Sequence, residues 1–181
     1  MKLPLLPHPS TPFAAALTVD VARDATTLRL EYVLQADLDR LLIAPAGAVR
    51  LGSDLFRHTC CEAFIGLADG AAYDELNFSP SRQWAMHRFR AYRDGGPVEA
   101  PEWSPTLEVR TQGDTLTLRA GVPLAALSPA FPTAPLRLAL SAVLEARDGT
   151  LSYWALRHPA GRPDFHHHAS FAVTLEPPVG G

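Results

Sequence analysis

Seventeen prolines and twelve glycines, spread along 181 residues, set the main limit on what this chain can become. Proline removes a backbone donor and clashes inside a helix, and glycine weakens one, so helices are confined to short pieces between these breaks. Two such pieces are expected. One covers residues 123–127, with Pro123 tolerated at a helix start, and the other residues 37–42, with Asp37 as a cap. What recurs elsewhere is a short alternating segment followed by a turn signal. Leu28, Leu30, Tyr32 and Leu34 alternate with Arg29, Glu31 and Val33. Residues 106–111 and 115–120 flank Gln112-Gly113-Asp114, which reads as a hairpin. Leu136, Leu138, Leu140 and Ala142 alternate up to the turn Asp148-Gly149, ahead of a segment at 151–158. Residues 170–176 read as a last strand before a frayed tail at 177–181. About nine to eleven such strands predict an all-β fold, an antiparallel β-sandwich.

The chain reads as one domain over 1–181, with a core from about residue 13 to 176 behind a proline-rich lead. A net charge of −3 and a pI near 6.1 give no electrostatic reason to expect nucleic acid or an anionic membrane as partner. No apolar stretch approaches the roughly 20 residues of a membrane span. The N-terminus has one basic residue and prolines at 4, 7, 9 and 12, a poor secretory signal. Cys60 and Cys61 are neighbours that a strand would point to opposite faces, so they are not expected to pair. A reduced, cytoplasmic protein is the resulting expectation, monomeric or paired through sandwich edges as a homodimer.

Side chains two apart on a strand share a face. In the segment from His58, one face carries Thr59, Cys61, Ala63 and Ile65, and the other His58, Cys60, Glu62 and Phe64. The next segment separates Leu76 and Phe78 from Tyr73, Glu75, Asn77 and Ser79. The third separates Ala85, His87, Phe89 and Ala91 from Trp84, Met86, Arg88, Arg90 and Tyr92. If the three strands are neighbours, Glu62, Glu75, Asn77, Trp84 and Arg88 form one patch. An aromatic plate beside hydrogen-bonding groups suits a sugar, whose C–H faces stack while its hydroxyls bond. A solvated sheet face with Glu–Arg cross-strand pairs is the alternative.

The densest chemistry lies at 152–168, where Tyr153, Trp154, Arg157, Arg162 and Asp164 accompany four of the seven histidines: His158, His166, His167 and His168. The blocks His58-Thr-Cys-Cys-Glu-Ala-Phe, Asn77-Phe-Ser-Pro-Ser-Arg-Gln-Trp84, Ser152-Tyr-Trp-Ala-Leu and Pro163-Asp-Phe-His resemble a bacterial DOMON-like family related to family 9 carbohydrate-binding modules. The resemblance covers about residues 13–176. It implies a β-sandwich with a sugar or haem ligand across one sheet or at its rim. Related domains occur fused to UDP-N-acetylenolpyruvoylglucosamine reductase-like enzymes, which points to cell-wall amino sugars. The expected site is Glu62, Asn77, Trp84 and Arg88 with Tyr153, Trp154, His158 and His166, acting as a non-catalytic carbohydrate-binding surface. Trp103 is a further stacking candidate and Arg157 a further polar one.

Three other chemistries stand beside this one. A b-type haem, an electron-transfer cofactor, would take Met86 as one axial ligand and His158 or His166 as the other. A metal ion such as zinc would use Asp164, His166 and His168, which share parity in an extended segment, whereas calcium would need oxygen ligands that the sequence does not locate. An enzyme, metal-dependent or not, would draw on Glu62 and Glu75 or on Glu145 as paired carboxylates, or on Cys60 with His58 as a thiolate. No phosphate-binding loop, nucleophile elbow or dinucleotide fingerprint is present.

Overall fold

A computed structural model describes residues 1–178; the last residues of the expected tail, 179–181, lie outside the described residues. The strands are β1 (Lys2–Pro7), β2 (Ala15–Arg23), β3 (Thr27–Ala36), β4 (Arg50–Leu51), β5 (Cys60–Leu67), β6 (Tyr73–Phe78) and β7 (Gln83–Ala91). They continue as β8 (Asp94–Pro97), β9 (Thr106–Gln112), β10 (Thr115–Pro123), β11 (Leu136–Glu145), β12 (Leu151–Ala155) and β13 (Val173–Leu175). Among the described residues the one α-helical turn, α1, is Leu124–Leu127, and a 3-10 turn at Leu38–Arg40 follows Asp37, whose side chain makes no capping bond.

The strands follow the order β4-β7-β6-β5-β11-β12-β1-β2-β3-β10-β9, with β8 beside β7 and β13 beside β11. This one path curls into two layers. The first layer, β2-β3-β10-β9, turns Leu17, Val19, Leu30, Tyr32, Leu118 and Val122 inward. The second, β7-β6-β5-β11-β12, answers with Ile65, Leu76, Phe78, Trp84, Leu138, Leu140 and Trp154. The alternation that marks these segments in the sequence is thus the alternation of core and surface. Tyr32 spans the gap, its hydroxyl donating to the Glu62 carbonyl at 2.7 Å. In the β9–β10 hairpin, Gly113 takes φ +54°, a left-handed conformation that favours glycine.

Three expectations change. The sandwich is not purely antiparallel, because β4 runs parallel to β7. The proline-rich lead is not outside the core but forms β1, which joins the layers: Lys2 to Leu5 pair with β2, and Leu6 and Pro7 with β12. Each half of β1 has a neighbour on one side only, an edge-like setting in which the N–H that proline lacks can be done without. The last strand is shorter than 170–176, since a 3-10 turn at His168–Ser170 precedes β13.

Candidate functional site

The outward face of the second layer is not a plain solvated surface. Registers across it place Ala85, Asn77, Glu62, Ser141 and Ala155 in one row, with His87, Glu75, Phe64 and Ala139 in the next. Small side chains at Ala85, Ala139, Ser141 and Ala155 leave a floor onto which larger neighbours close. Above it opens a cavity of ≈ 390 Å³ lined by Phe56, Glu62, Phe64, Glu75, His87, Phe89, Arg93, Val143, Tyr153, Phe165 and His166, among others. Strands β5, β6, β7, β11 and β12 supply the floor. The 3-10 turn carrying Phe56 and the Pro/Gly segment carrying Phe165 and His166 supply the walls.

The polar groups in this cavity are held in a fixed order. Asn77, fully buried behind the floor, donates to Glu75 Oε1 at 2.8 Å and accepts from the Cys60 thiol. Ser141 donates to Glu62 Oε2 at 2.9 Å. The Arg93 backbone N–H donates to the Tyr73 hydroxyl, which is then free to donate to His166 Nδ1 at 2.8 Å. With the Tyr73 hydroxyl donating to Nδ1, the imidazole carries its proton on Nε2, the nitrogen that faces Glu75 Oε2 3.5 Å away. Burial, and then the nearby Arg93 charge, pull His166 down to about 4, so it faces Glu75 as a neutral ring rather than as half of an ion pair. Burial pushes Glu62 up to about 8, with the Glu75 charge acting the same way and the Ser141 hydrogen bond opposing it. Glu75 is also raised by burial, but Asn77, His87 and Arg93 all favour its ionised form. The two glutamates are diagonal neighbours on adjacent strands, and their surroundings push them apart in acidity.

Of the eight expected binding residues, Glu62, Tyr153 and His166 line this cavity, and Asn77 supports it from behind. The other four sit elsewhere. Trp84 and Trp154 are core residues at 2% and 3% exposure, with Trp84 against Trp103 at 4.8 Å between ring centres. Arg88 lies on the inner parity of β7 and grips Asp74 through two bonds, at 2.7 and 3.1 Å. His158 bonds the Leu6 carbonyl at 2.8 Å and stands edge-on to His8. The parity of β7 is therefore the reverse of the sequence reading. Trp84 and Met86 belong to the interior, and it is His87 and Phe89 that face the cavity. His87 was the signal, a histidine inside an otherwise apolar set. Phe56, Arg93 and Phe165 lie in turns and had no periodicity to mark them.

The alternative chemistries fit less well. Met86 is sealed between the layers while His166 is on the outer face, and His158 is engaged beside β1. A haem could not take Met86 and either histidine as its two axial ligands without opening the core, so the residues present do not fit it. Asp164 accepts from Tyr92 at 2.6 Å and from Arg93 at 2.8 Å, and the His167 and His168 rings lie tilted against each other, 4.2 Å between centres. Among the described residues no group of three or more His, Cys, Asp or Glu is placed to hold a metal ion. Burial raises the Cys60 thiol well above its ordinary range, the opposite of what a nucleophile needs, and His58 bonds Glu145 instead. No helix among the described residues is long and apolar enough to cross a membrane.

A candidate carbohydrate-binding protein from Bacteroides uniformis superposes with a TM-score of 0.73 at 13% identity, over 94% of this chain and 84% of that one. A family 9 carbohydrate-binding module from Caldicellulosiruptor kristjanssonii in complex with glucose superposes with a TM-score of 0.52 at 10% identity, over 84% of this chain and 72% of that one. The same kind of module in complex with cellotriose gives 0.53 at 9% identity, over 84% of this chain and 70% of that one. The fold is shared with these β-sandwiches. No family profile and no curated protein matches the chain.

Proposed function

We propose that the protein binds carbohydrate in the cavity on the outer face of its second layer, as a non-catalytic module. The observation that carries this is the composition of the cavity: aromatic walls at Phe56, Phe89, Tyr153 and Phe165 around a fixed polar set of Glu62, Glu75, His87 and His166. Rings stack on the C–H faces of a pyranose, and the polar set exchanges hydrogen bonds with its hydroxyls. A volume of ≈ 390 Å³ holds a small sugar rather than a long chain. The complexes of family 9 modules with glucose and cellotriose, on the same fold, support the reading. Amino sugars of the kind found in cell walls are the preferred class, because the Glu62 and Glu75 carboxyl groups offer acceptors for an amine or acetamido N–H. Membership of the DOMON-like group, suggested by the Asn77-Phe-Ser-Pro-Ser and Ser152-Tyr-Trp-Ala-Leu blocks, belongs to the same proposal. So does an intracellular location, which the two free cysteines favour.

Calorimetric titration with glucose, cellotriose, glucosamine and N-acetylglucosamine tests this. Saturable binding is expected, tightest for an amino sugar. Tyr153→Ala should weaken it about tenfold, the loss of one stacking ring, with little change in melting temperature. Wild-type protein that binds none of the four would overturn the proposal.

A further inference from the structure

Beside the sugar cavity, on the far side of His166, lies a second cleft of ≈ 470 Å³. His166 lines both, and the wall between them is aromatic: Tyr73 stacks on Phe89 at 4.9 Å, and Phe64 meets Phe171 at 6.4 Å. The two spaces are therefore neighbours on one face, separated by side chains rather than by a strand. Their chemistry differs. The first contains two glutamates, whereas the second has none and is lined by Arg137, His167 and His168 alongside its tyrosines and Phe171.

Arg137 is the distinctive group. It lies on β11 with its guanidinium 4.3 Å above the Phe171 ring, and one terminal nitrogen donates to the Ala71 carbonyl at 3.0 Å. Its Nε is buried and makes no hydrogen bond among the described residues. On β7 and in the turn after it, Arg88 pairs with Asp74, Arg90 with Asp94 and Arg93 with Asp164. Arg137 has none among the described residues. The nearest acid in sequence to the histidine run, Asp164, is already taken by Tyr92 and Arg93. A guanidinium that is stacked, oriented and left without a counter-ion matches the geometry of carboxylate and phosphate recognition.

We infer that the second cleft is an anion subsite, in which Arg137 receives a carboxylate or phosphate carried by the sugar bound in the first. This rests on the carbohydrate reading for the sugar and adds one feature to the ligand, an acidic group on the sugar. The partial burial that holds the guanidinium pKa below its ordinary value also strengthens its attraction for an anion.

Two measurements keep this inference separable from the sugar reading. Inorganic phosphate titrated into the protein should shift the Arg137 Nε–Hε NMR resonance saturably, with no sugar present. Calorimetry with glucose, glucuronate, glucose 1-phosphate and glucose 6-phosphate should show at least one acidic form binding about tenfold more tightly than glucose. Comparing glucuronate with the two phosphates identifies which anion is preferred. Arg137→Met should bring that form down to the level of glucose while leaving glucose unchanged, and Arg137→Lys should keep part of the preference. Equal affinity for glucose and all three acidic forms, with glucose still bound, overturns the inference and spares the carbohydrate reading. A phosphate-responsive Arg137 in a protein that binds no sugar does the reverse. An Arg137→Met change that weakens glucose and the acidic sugars alike would make the residue structural and also overturn the inference.

Discussion

At neutral pH the Glu62 side chain is a carboxylic acid, because burial and the neighbouring Glu75 charge lift it from 4.5 to about 8. A group whose acidity is lowered by folding contributes stability below its unfolded pKa and loses it as pH rises through the folded one. His166, pulled from 6.5 to about 4, works the other way: its contribution is complete above 6.5 and is lost as pH falls towards 4. The two oppose each other in mildly acidic solution. Between 6.5 and 8 Glu62 acts without that opposition, so stability should fall by on the order of 2 kcal/mol across that interval. In Glu62→Gln this decline should be nearly abolished, which urea denaturation at the two pH values would read. A variant that declines as steeply as wild type would mean the carboxyl is already ionised. Glu62, Tyr153 and His166 could be picked out in sequence because a polar or aromatic group of that type, at that parity or in that turn, has few roles other than contact. Trp84 and Trp154 could not, since an indole serves a core or a binding plate equally well.

Strand β7 shows how an element can mislead. Its inner side begins under the first layer with Trp84 and Met86 and runs past it, so that Arg88 and Arg90 on the same side emerge into solvent. One geometric face thus contains both core and surface residues, and its average polarity resembles an outward face. The emerging part has its own task. Arg88 holds buried Asp74 of β6 through two bonds and donates to the Leu127 carbonyl at 2.7 Å, tying the strand pair to α1. Arg88→Ala should therefore cost about 2 kcal/mol of stability, the value of hydrogen bonds to a charged group, and leave sugar affinity unchanged. Calorimetric melting beside sugar titration separates the two, and a selective loss of affinity would return Arg88 to the site. Strand β1 was hidden for a different reason. Four prolines in twelve residues read as a break, and nothing local shows that a strand with one neighbour at each half can do without the missing donors.

For the molecule as a whole, the two-layer architecture was legible because alternation and turn chemistry act over a few residues at a time. Leu28 to Leu34 and Leu136 to Ala142 alternate in sequence and face one another across the core. The cavity was less legible, because it is made by β5, β6, β7, β11 and β12 meeting two turns, a relation that exists only after the path has curled. One product of that curl is that all three tryptophans lie away from the cavity: two are sealed in the core, and Trp103 packs against it. Intrinsic indole emission should then follow unfolding and remain almost silent when the cavity fills, while tyrosine bands in the near-ultraviolet circular dichroism respond through Tyr153. The protein has an optical division of labour built into its packing, in which one chromophore reports integrity and another reports occupancy.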